Sequence, residues 1–135
     1  MIALLADVNI EGHVACLGAH MQADYWRDVW DHLEIRSLRF GDVGLSPDAT
    51  DAQVWRTCQS QQLLLLTHNR NEDGPDSLAA TIRTFNTVTS LPVFTVSIAD
   101  RILQSKDYAE RVVETLYDYL LRIDSLRGSG RLFLP

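Results

Sequence analysis

Four consecutive leucines, Leu63 to Leu66, constrain the fold of this chain more than any other feature of its sequence. A run of apolar residues bounded by polar ones predicts a strand that is buried on both faces. Strands of this kind belong to parallel sheets, whose two faces are covered by helices. The polar segment from Thr67 to Asp76 then lies at the carboxyl end of the strand, where open α/β sheets bind their ligands.

The rest of the chain alternates predicted strands with predicted helices. Strands are expected at 2–6, 33–40 (nearer an edge of the sheet), 63–67, 92–97 and, as a last short strand, 131–134. Helices are expected from about Glu11 to His32, from Thr50 or Asp51 to Gln61, from Ser77 to Asn86, and along the apolar stripe Tyr108 to Ile123. Gly12 and Gly18 disfavour the first helix, and Gly18 marks the place where it would break. The segment 41–48 reads as a loop.

This alternation predicts βαβ units and a parallel sheet, with right-handed crossovers that place helices on both faces. The length of 135 residues fits a single domain, 1–135, and the 46% of hydrophobic residues can build a core. We therefore expect an α/β fold with three layers. Its central, mainly parallel sheet has four or five strands and is flanked by helices.

Composition narrows the choice of partners. The net charge of −6 disfavours a general nucleic-acid coat, which needs local positive potential. Eleven of the twelve basic residues are nevertheless arginines, which suit bidentate phosphate contacts; compositional bias of the genome is the alternative explanation.

The same composition predicts a cytoplasmic protein with no membrane association. No apolar segment reaches the roughly 18 residues of a membrane span. The start MIALLADVN lacks the basic region of a signal peptide. Cys16 and Cys58 lie far apart and form no CxxC motif, which favours two reduced, buried thiols.

Polar residues follow the predicted strands, and the carboxyl ends of parallel strands meet at one edge. The residues expected there are Asp7, Asp42, Asn69, Asn71, Glu72, Asp73, Ser97 and Asp100. Carboxylates held close together repel one another unless a cation neutralises them. Mg²⁺ and Mn²⁺ prefer such oxygen ligands, and a metal held there can orient water against a phosphodiester. The pattern therefore favours a small metal-dependent nuclease.

Three segments in order, LLADVN, DVGLSPDATDAQVW and LLLLTHNRN, resemble the short bacterial PIN-like domains, among them the ribonuclease toxins of toxin–antitoxin pairs. The resemblance spans about residues 2–98, and the last helix and strand are compatible with it. It implies a three-layer PIN-like fold, Mg²⁺- or Mn²⁺-dependent endoribonuclease activity, RNA as substrate, an antitoxin-like protein partner and a homodimer.

The resemblance also implies a set of site residues. Asp7 and Asp51 match acidic positions of the family's metal site, and Asn9 matches a family asparagine. The predicted metal ligands are Asp7, Asp51 and Asp73. The predicted catalytic residues are Asp7, Asp51, Asn9 and Asn69. Thr67 and Arg70 are the predicted substrate-binding residues.

Four positions depart from the family pattern. Val8 replaces a glutamate, Asn69 and Asn71 stand where the family carries aspartates, and Glu72 replaces the usual aromatic residue. An amide oxygen can ligate a hard cation but brings no charge, so metal binding is expected to be weakened. An acid between Glu72 and Asp76 would have to complete the site. The alternative prediction is a catalytically inactive module of the same fold that binds RNA or a protein.

Most of these residues also have a plain structural interpretation. Asp7 and Asp51 could cap the helices that follow them, and Asn9 and Asn69 could form turns. Thr67 could satisfy nearby backbone groups instead of pointing into a site.

Three further features of the sequence bear on other possible functions. His68 is a candidate general base. Lys106 lies in the wrong place for a phospho-receiver domain, because it precedes the last helix. Trp26 and Trp30 offer a candidate surface for a homodimer.

Overall fold

The computed structural model describes residues 1–70 and 74–135. The strands are β1 Ile2–Ala6, β2 Ile35–Leu38, β3 Leu64–Thr67, β4 Val93–Val96 and β5 Arg131–Leu134. The α-helices are α1 Glu11–Met21, α2 Arg27–Leu33, α3 Asp51–Gln61, α4 Leu78–Phe85, α5 Ala99–Gln104 and α6 Lys106–Leu121. Short 3-10 helices occupy Val8–Ile10, Phe40–Val43 and Ile123–Leu126.

The strands form one sheet in the order β2-β1-β3-β4-β5, and every neighbouring pair is parallel. All five carboxyl ends therefore lie along one edge. Helices cover both faces, so the predicted three-layer α/β fold is confirmed, as is the position of β2 at an edge.

Side chains that alternate along the strands divide the core into two layers. Leu64 and Leu66 face the layer built with α1, α5 and α6, whereas Leu63 and Leu65 face the layer built with α3 and α4. All four side chains are at most 4% exposed. The leucine run is continuous because both faces of its strand are buried.

The predicted helix from Glu11 to His32 is wrong in its continuity, because the chain forms α1 and α2 with a turn between them. The interruption follows Met21, whereas Gly18 lies inside α1. Trp26 explains the turn: its indole N–H donates to Glu110 on α6, and its ring packs on Tyr117 at a centroid distance of 5.0 Å. Contact with α6 overrides the local helical pattern.

Smaller differences concern the ends of elements. The predicted loop 41–48 begins inside the 3-10 helix Phe40–Val43, and α5 lies in a segment for which the sequence predicted no element. The two predicted helix starts are confirmed by their caps. Thr50 Oγ1 accepts a hydrogen bond from Gln53 N, and Ser77 Oγ accepts one from Ala80 N. No helix in the described part of the chain is both long and apolar enough to cross a membrane.

Candidate functional site

A cavity of about 120 Å³ opens at the carboxyl ends of β1 and β3. Four predicted site residues line it: Asp7, Asn9, Asp51 and Asn69. They come from three separate parts of the chain, so the predicted convergence of these residues at the sheet edge is confirmed. Apolar side chains that include Phe40 and Val54 form the rest of the wall and were not predicted as site residues.

Asp7 is positioned by both its backbone and its side chain. Its N–H extends the β1–β3 ladder by donating to Leu66 O at 2.9 Å. Its Oδ2 accepts a hydrogen bond of 2.6 Å from Thr67 Oγ1. The side chain makes no capping bond to the 3-10 helix that follows, so the interpretation of Asp7 as a helix cap is wrong.

Thr67 satisfies a nearby backbone group, as one of the two sequence interpretations expected, and does not line the cavity. Its side chain is completely buried. The hydroxyl donates to Asp7, as described, and accepts a hydrogen bond of 3.0 Å from Asn69 N. One hydroxyl thus fixes the carboxylate of β1 and the first turn of the loop after β3. Because its side chain is buried, Thr67 can affect a substrate only through Asp7.

Asp51 is the first residue of α3, but Thr50 is the residue that caps this helix. Asp51 Oδ2 instead accepts hydrogen bonds of 3.0 Å from Leu78 N and from Asn69 Nδ2. The carboxylate therefore lies at the amino end of α4, where the helix dipole favours a negative charge. Asp51 ties together α3, α4 and the loop after β3.

Asn69 gives a physical reason for an amide at a position where an aspartate was expected. Its Nδ2 donates to Asp51, which a carboxylate at this position could not do. Its backbone oxygen accepts a hydrogen bond of 2.8 Å from Arg131 Nη1. The amide thus stabilises the charge on Asp51 and does not add a third charge to the cavity.

The donor set fits a hydrated divalent cation better than a fully protein-ligated one. Hydrogen bonds from described residues to Asp7 and Asp51 all end on Oδ2, which leaves each Oδ1 to bind an ion. Within the described ranges, no three His, Cys, Asp or Glu residues cluster closely enough to hold a metal. Mg²⁺ commonly uses one or two carboxylates and keeps several waters, and a cavity needs only about 10–15 Å³ for each water.

Cys58 lies below the cavity on α3 and was not predicted to take part in the site. Burial, and secondly the negative charge of Asp7, raise the pKa of its thiol to about 12. Asp7 therefore has a buried, neutral thiol on its inner side. The spacing of four residues between Val54 and Cys58 was the sequence feature that could have placed Cys58 near the site, because it puts both side chains on one face of α3.

Other predicted residues lie outside the cavity. The Arg70 guanidinium donates to Ser97 O at 2.7 Å and turns toward β4. Asp42 accepts a hydrogen bond from the backbone of its own turn, and Asp100 lies 2.9 Å from His13 Nε2. The expectation that acids from four strands would meet at one point is therefore wrong for Asp42 and Asp100.

The remaining predictions have simple outcomes. His68 and Asp76 are exposed and do not line the cavity. Trp26 and Trp30 pack partly against the core, and the homodimer stays a prediction. Asn71, Glu72 and Asp73 lie outside the described residues, so their expected roles stay predictions.

Searches against protein-family models, characterised proteins and solved structures return no match for this chain.

Proposed function

We propose that this chain is a divalent-cation-dependent endoribonuclease of PIN-like type with a weakened metal site. The observation that carries the proposal is the meeting of Asp7 and Asp51 in one cavity at the carboxyl edge of the sheet. Two carboxylates with accessible oxygens, in a cavity with room for water, are the minimum that hydrated Mg²⁺ or Mn²⁺ requires. The resemblance to toxin ribonucleases adds a cytoplasmic setting and an antitoxin-like partner to this proposal.

The residues of the chain have distinct tasks in this mechanism. Asp7 and Asp51 would hold the cation, and Thr67 and Asn69 keep the two carboxylates in place through hydrogen bonds to Oδ2. A cation held there would supply an oriented water and neutralise charge on the phosphodiester. Asn9, on the cavity wall, offers an amide that can hydrogen-bond a water or a phosphate oxygen.

Arg70 completes the site on the substrate side. It is exposed outside the Asp7–Asp51 cavity, and its hydrogen bond to Ser97 O fixes the direction of the guanidinium. A guanidinium has five N–H donors, so it can contact a phosphate oxygen while keeping that bond.

A second candidate function is a PIN-like module that binds RNA or a protein without cleaving RNA. Two observations favour it. Asp51 Oδ2 already accepts two protein hydrogen bonds, which is enough to explain the residue as a structural link. Asn69 supplies an amide where the family carries an acid.

The experiment that separates the two functions is incubation of labelled single-stranded RNA with purified protein and Mn²⁺ or Mg²⁺. The nuclease predicts cleavage that EDTA stops and that Asp7→Asn abolishes. Asp42→Asn is the matched control, because Asp42 lies near the same edge but outside the cavity. Its cleavage should equal that of the wild type.

Two results would reject the nuclease. Equal cleavage by wild type and Asp7→Asn would identify a contaminating ribonuclease. Binding of RNA without any metal-dependent cleavage would identify the non-catalytic module.

A further inference from the structure

An open groove of about 420 Å³ lies between α6 and the turn that joins α1 to α2. Its described lining mixes apolar and acidic side chains, contains no basic one, and consists of Trp26, Glu114, Thr115, Tyr117, Asp118 and Leu121. Tyr117 is buried at the floor, whereas Leu121 is 58% exposed at the rim. The groove therefore offers a partner both apolar contact and negative charge.

The aromatic wall of the groove is fixed in place. The Trp26 indole packs on Tyr117 and donates from Nε1 to Glu110 Oε2 at 3.3 Å. Glu110 Oε1 lies 2.9 Å from His20 Nδ1, and the Tyr117 hydroxyl donates to Met21 O at 2.8 Å. A surface that is formed in advance loses little conformational freedom when a partner binds, which favours a binding role.

Three carboxylates stand in one row along α6 beside this wall, at Glu110, Glu114 and Asp118. Residues four apart on a helix are neighbours, and like charges at this spacing destabilise the helix. Glu110 has the contacts described above, and Asp118 accepts a hydrogen bond of 3.2 Å from Arg122 Nη2. The exposed Glu114 side chain makes no hydrogen bond or ion pair with any described residue. Its carboxylate is therefore left to interact with a partner.

Neighbouring arginines do not neutralise Glu114. Arg122 is engaged by Asp118, as described. Arg111, three residues before Glu114, instead places its guanidinium over the ring of Tyr108, 5.5 Å from the centroid. The groove thus keeps an unbalanced negative charge beside its apolar wall.

A second copy of this chain is disfavoured as the occupant. A two-fold contact brings a surface against itself, so the acidic row of one α6 would face the same row of the other. Like charges placed opposite each other weaken an interface. The occupant therefore carries positive charge, which in a chain with a net charge of −6 indicates a different protein.

The groove is remote from the Asp7–Asp51 cavity. Tyr108, in the first turn of α6, lies near the carboxyl edge of the sheet, where its hydroxyl oxygen accepts a hydrogen bond from Ile98 N. Because α6 connects β4 with the parallel strand β5, it runs from that edge back toward the amino edge. A partner bound beside Glu114 therefore leaves the cavity open.

We propose that this groove binds an arginine-containing segment of a partner protein. The apolar stem of the arginine lies against Trp26 and Leu121, and its guanidinium group pairs with the Glu114 carboxylate. Arginine suits this place better than lysine, because its planar group can stack on an aromatic ring and bond a carboxylate through two N–H groups. Binding also relieves the repulsion along the acidic row.

The test begins with selection of a random peptide library, displayed on phage, on the immobilised protein. The enriched peptides should carry arginine flanked by apolar residues, and anisotropy of their fluorescein-labelled forms in EDTA gives their affinity. Glu114→Lys should weaken this binding at least about ten-fold, because attraction becomes repulsion. Leu121→Ser removes the apolar contact and should also weaken binding.

Each variant has a matched control. Asp48→Lys makes the same change of charge at an exposed acid outside the groove. Leu103→Ser removes a leucine that is 56% exposed on α5, close to the 58% of Leu121. Both controls should bind the peptides like the wild type. Glu114→Lys places a base between two acids of the row, so its thermal unfolding midpoint should be no lower than that of the wild type.

Several results would refute the proposal. They are the absence of enriched peptides, enriched peptides without basic residues, and equally tight binding by wild type and Glu114→Lys. Equal weakening by Asp48→Lys would show attraction to an acidic protein and no groove. A dimer in sedimentation that Leu121→Ser dissociates would assign the groove to a second copy. Because binding is measured in EDTA, failure of the nuclease leaves this proposal standing, and the reverse also holds.

Discussion

Thr67 Oγ1 donates a hydrogen bond of 2.6 Å to Asp7 Oδ2, across the junction of β1 and β3. The same oxygen accepts a hydrogen bond from Asn69 N. Thr67 is completely buried, so its hydroxyl is out of contact with bulk water. This single side chain therefore links Asp7 to the start of the loop after β3.

Replacing Thr67 with valine tests this dependence. Thr67→Val preserves the shape but removes the hydroxyl, so that Asp7 Oδ2 loses a donor and Asn69 N loses an acceptor. Unsatisfied buried polar groups cost about 1–3 kcal/mol, and urea unfolding should show a loss of that size. Thr67→Ser keeps the hydroxyl and should lose less. A Thr67→Val protein as stable as the wild type would show that water satisfies these groups.

Asp51 provides a second test, because it connects three elements. Asp51→Ala removes the acceptor of Leu78 N and of Asn69 Nδ2, and we expect a loss of about 1–2 kcal/mol of unfolding free energy, typical of a lost helix cap. Hydrogen exchange at the Leu78 amide should become faster as the start of α4 frays. Asp48→Ala, at an exposed acid in the preceding loop, should change neither quantity. Unchanged exchange at Leu78 in Asp51→Ala would remove Asp51 from this structural role.

Those parts of the fold that depend on local pattern could be predicted from the sequence. The run Leu63–Leu66 implied a strand buried on both faces, and the position of Asp7 after β1 implied a place at the carboxyl edge. Both inferences use the period of the side chains and the geometry of parallel sheets, which apply before any tertiary contact is known. They were sufficient to bring Asp7 and Asn69 to one edge of the sheet, whereas Asp51 was expected there only from the resemblance to PIN-like domains.

What could not be predicted depends on contacts between distant residues. Trp26, in the turn between α1 and α2, contacts α6 through a hydrogen bond to Glu110 and a ring contact with Tyr117, and no local residue signals these contacts. Arg131 reaches Asn69 from the last strand, a contact set by strand order rather than by sequence spacing. The hydrogen bond from Leu78 N to Asp51 likewise depends on α3 and α4 lying side by side.

The pH dependence of stability should reveal the thiol beneath the site. Burial raises the pKa of Cys58 from 9.0 to about 12, so above pH 9 the unfolded chain releases a proton that the folded protein keeps. The stability contributed by the neutral thiol is complete below pH 9 and is lost as the pH rises toward 12. The slope for one such group reaches at most about 1.4 kcal/mol per pH unit.

Cys58→Ala isolates this effect. Urea unfolding in the presence of a reductant should show a shallower loss of stability between pH 9 and pH 10 than in the wild type. Between pH 6 and pH 8 the two proteins should have parallel profiles, because the thiol is protonated in both states. Parallel profiles above pH 9 as well would mean that Cys58 is not held neutral by the fold.

Metal binding can be measured without any nuclease activity. An ion that binds only the folded protein raises its stability, by about 2.7 kcal/mol when its concentration is 100 times the dissociation constant. For a chain of this size, Mn²⁺ near that concentration should raise the midpoint of thermal unfolding by several degrees. The shift should be lost in Asp7→Asn and in Asp51→Asn, because each removes one of the two charges that hold the ion.

Asp42→Asn is again the matched control, and its shift should equal that of the wild type. Each shift is measured against the same variant in EDTA, so that the effect of the substitution on stability itself cancels. Equal shifts in all four proteins would mean that Mn²⁺ binds elsewhere on an acidic surface. In that case the hydrogen bonds of Asp7 and Asp51 would be structural links only, and the two carboxylates would not form a metal site.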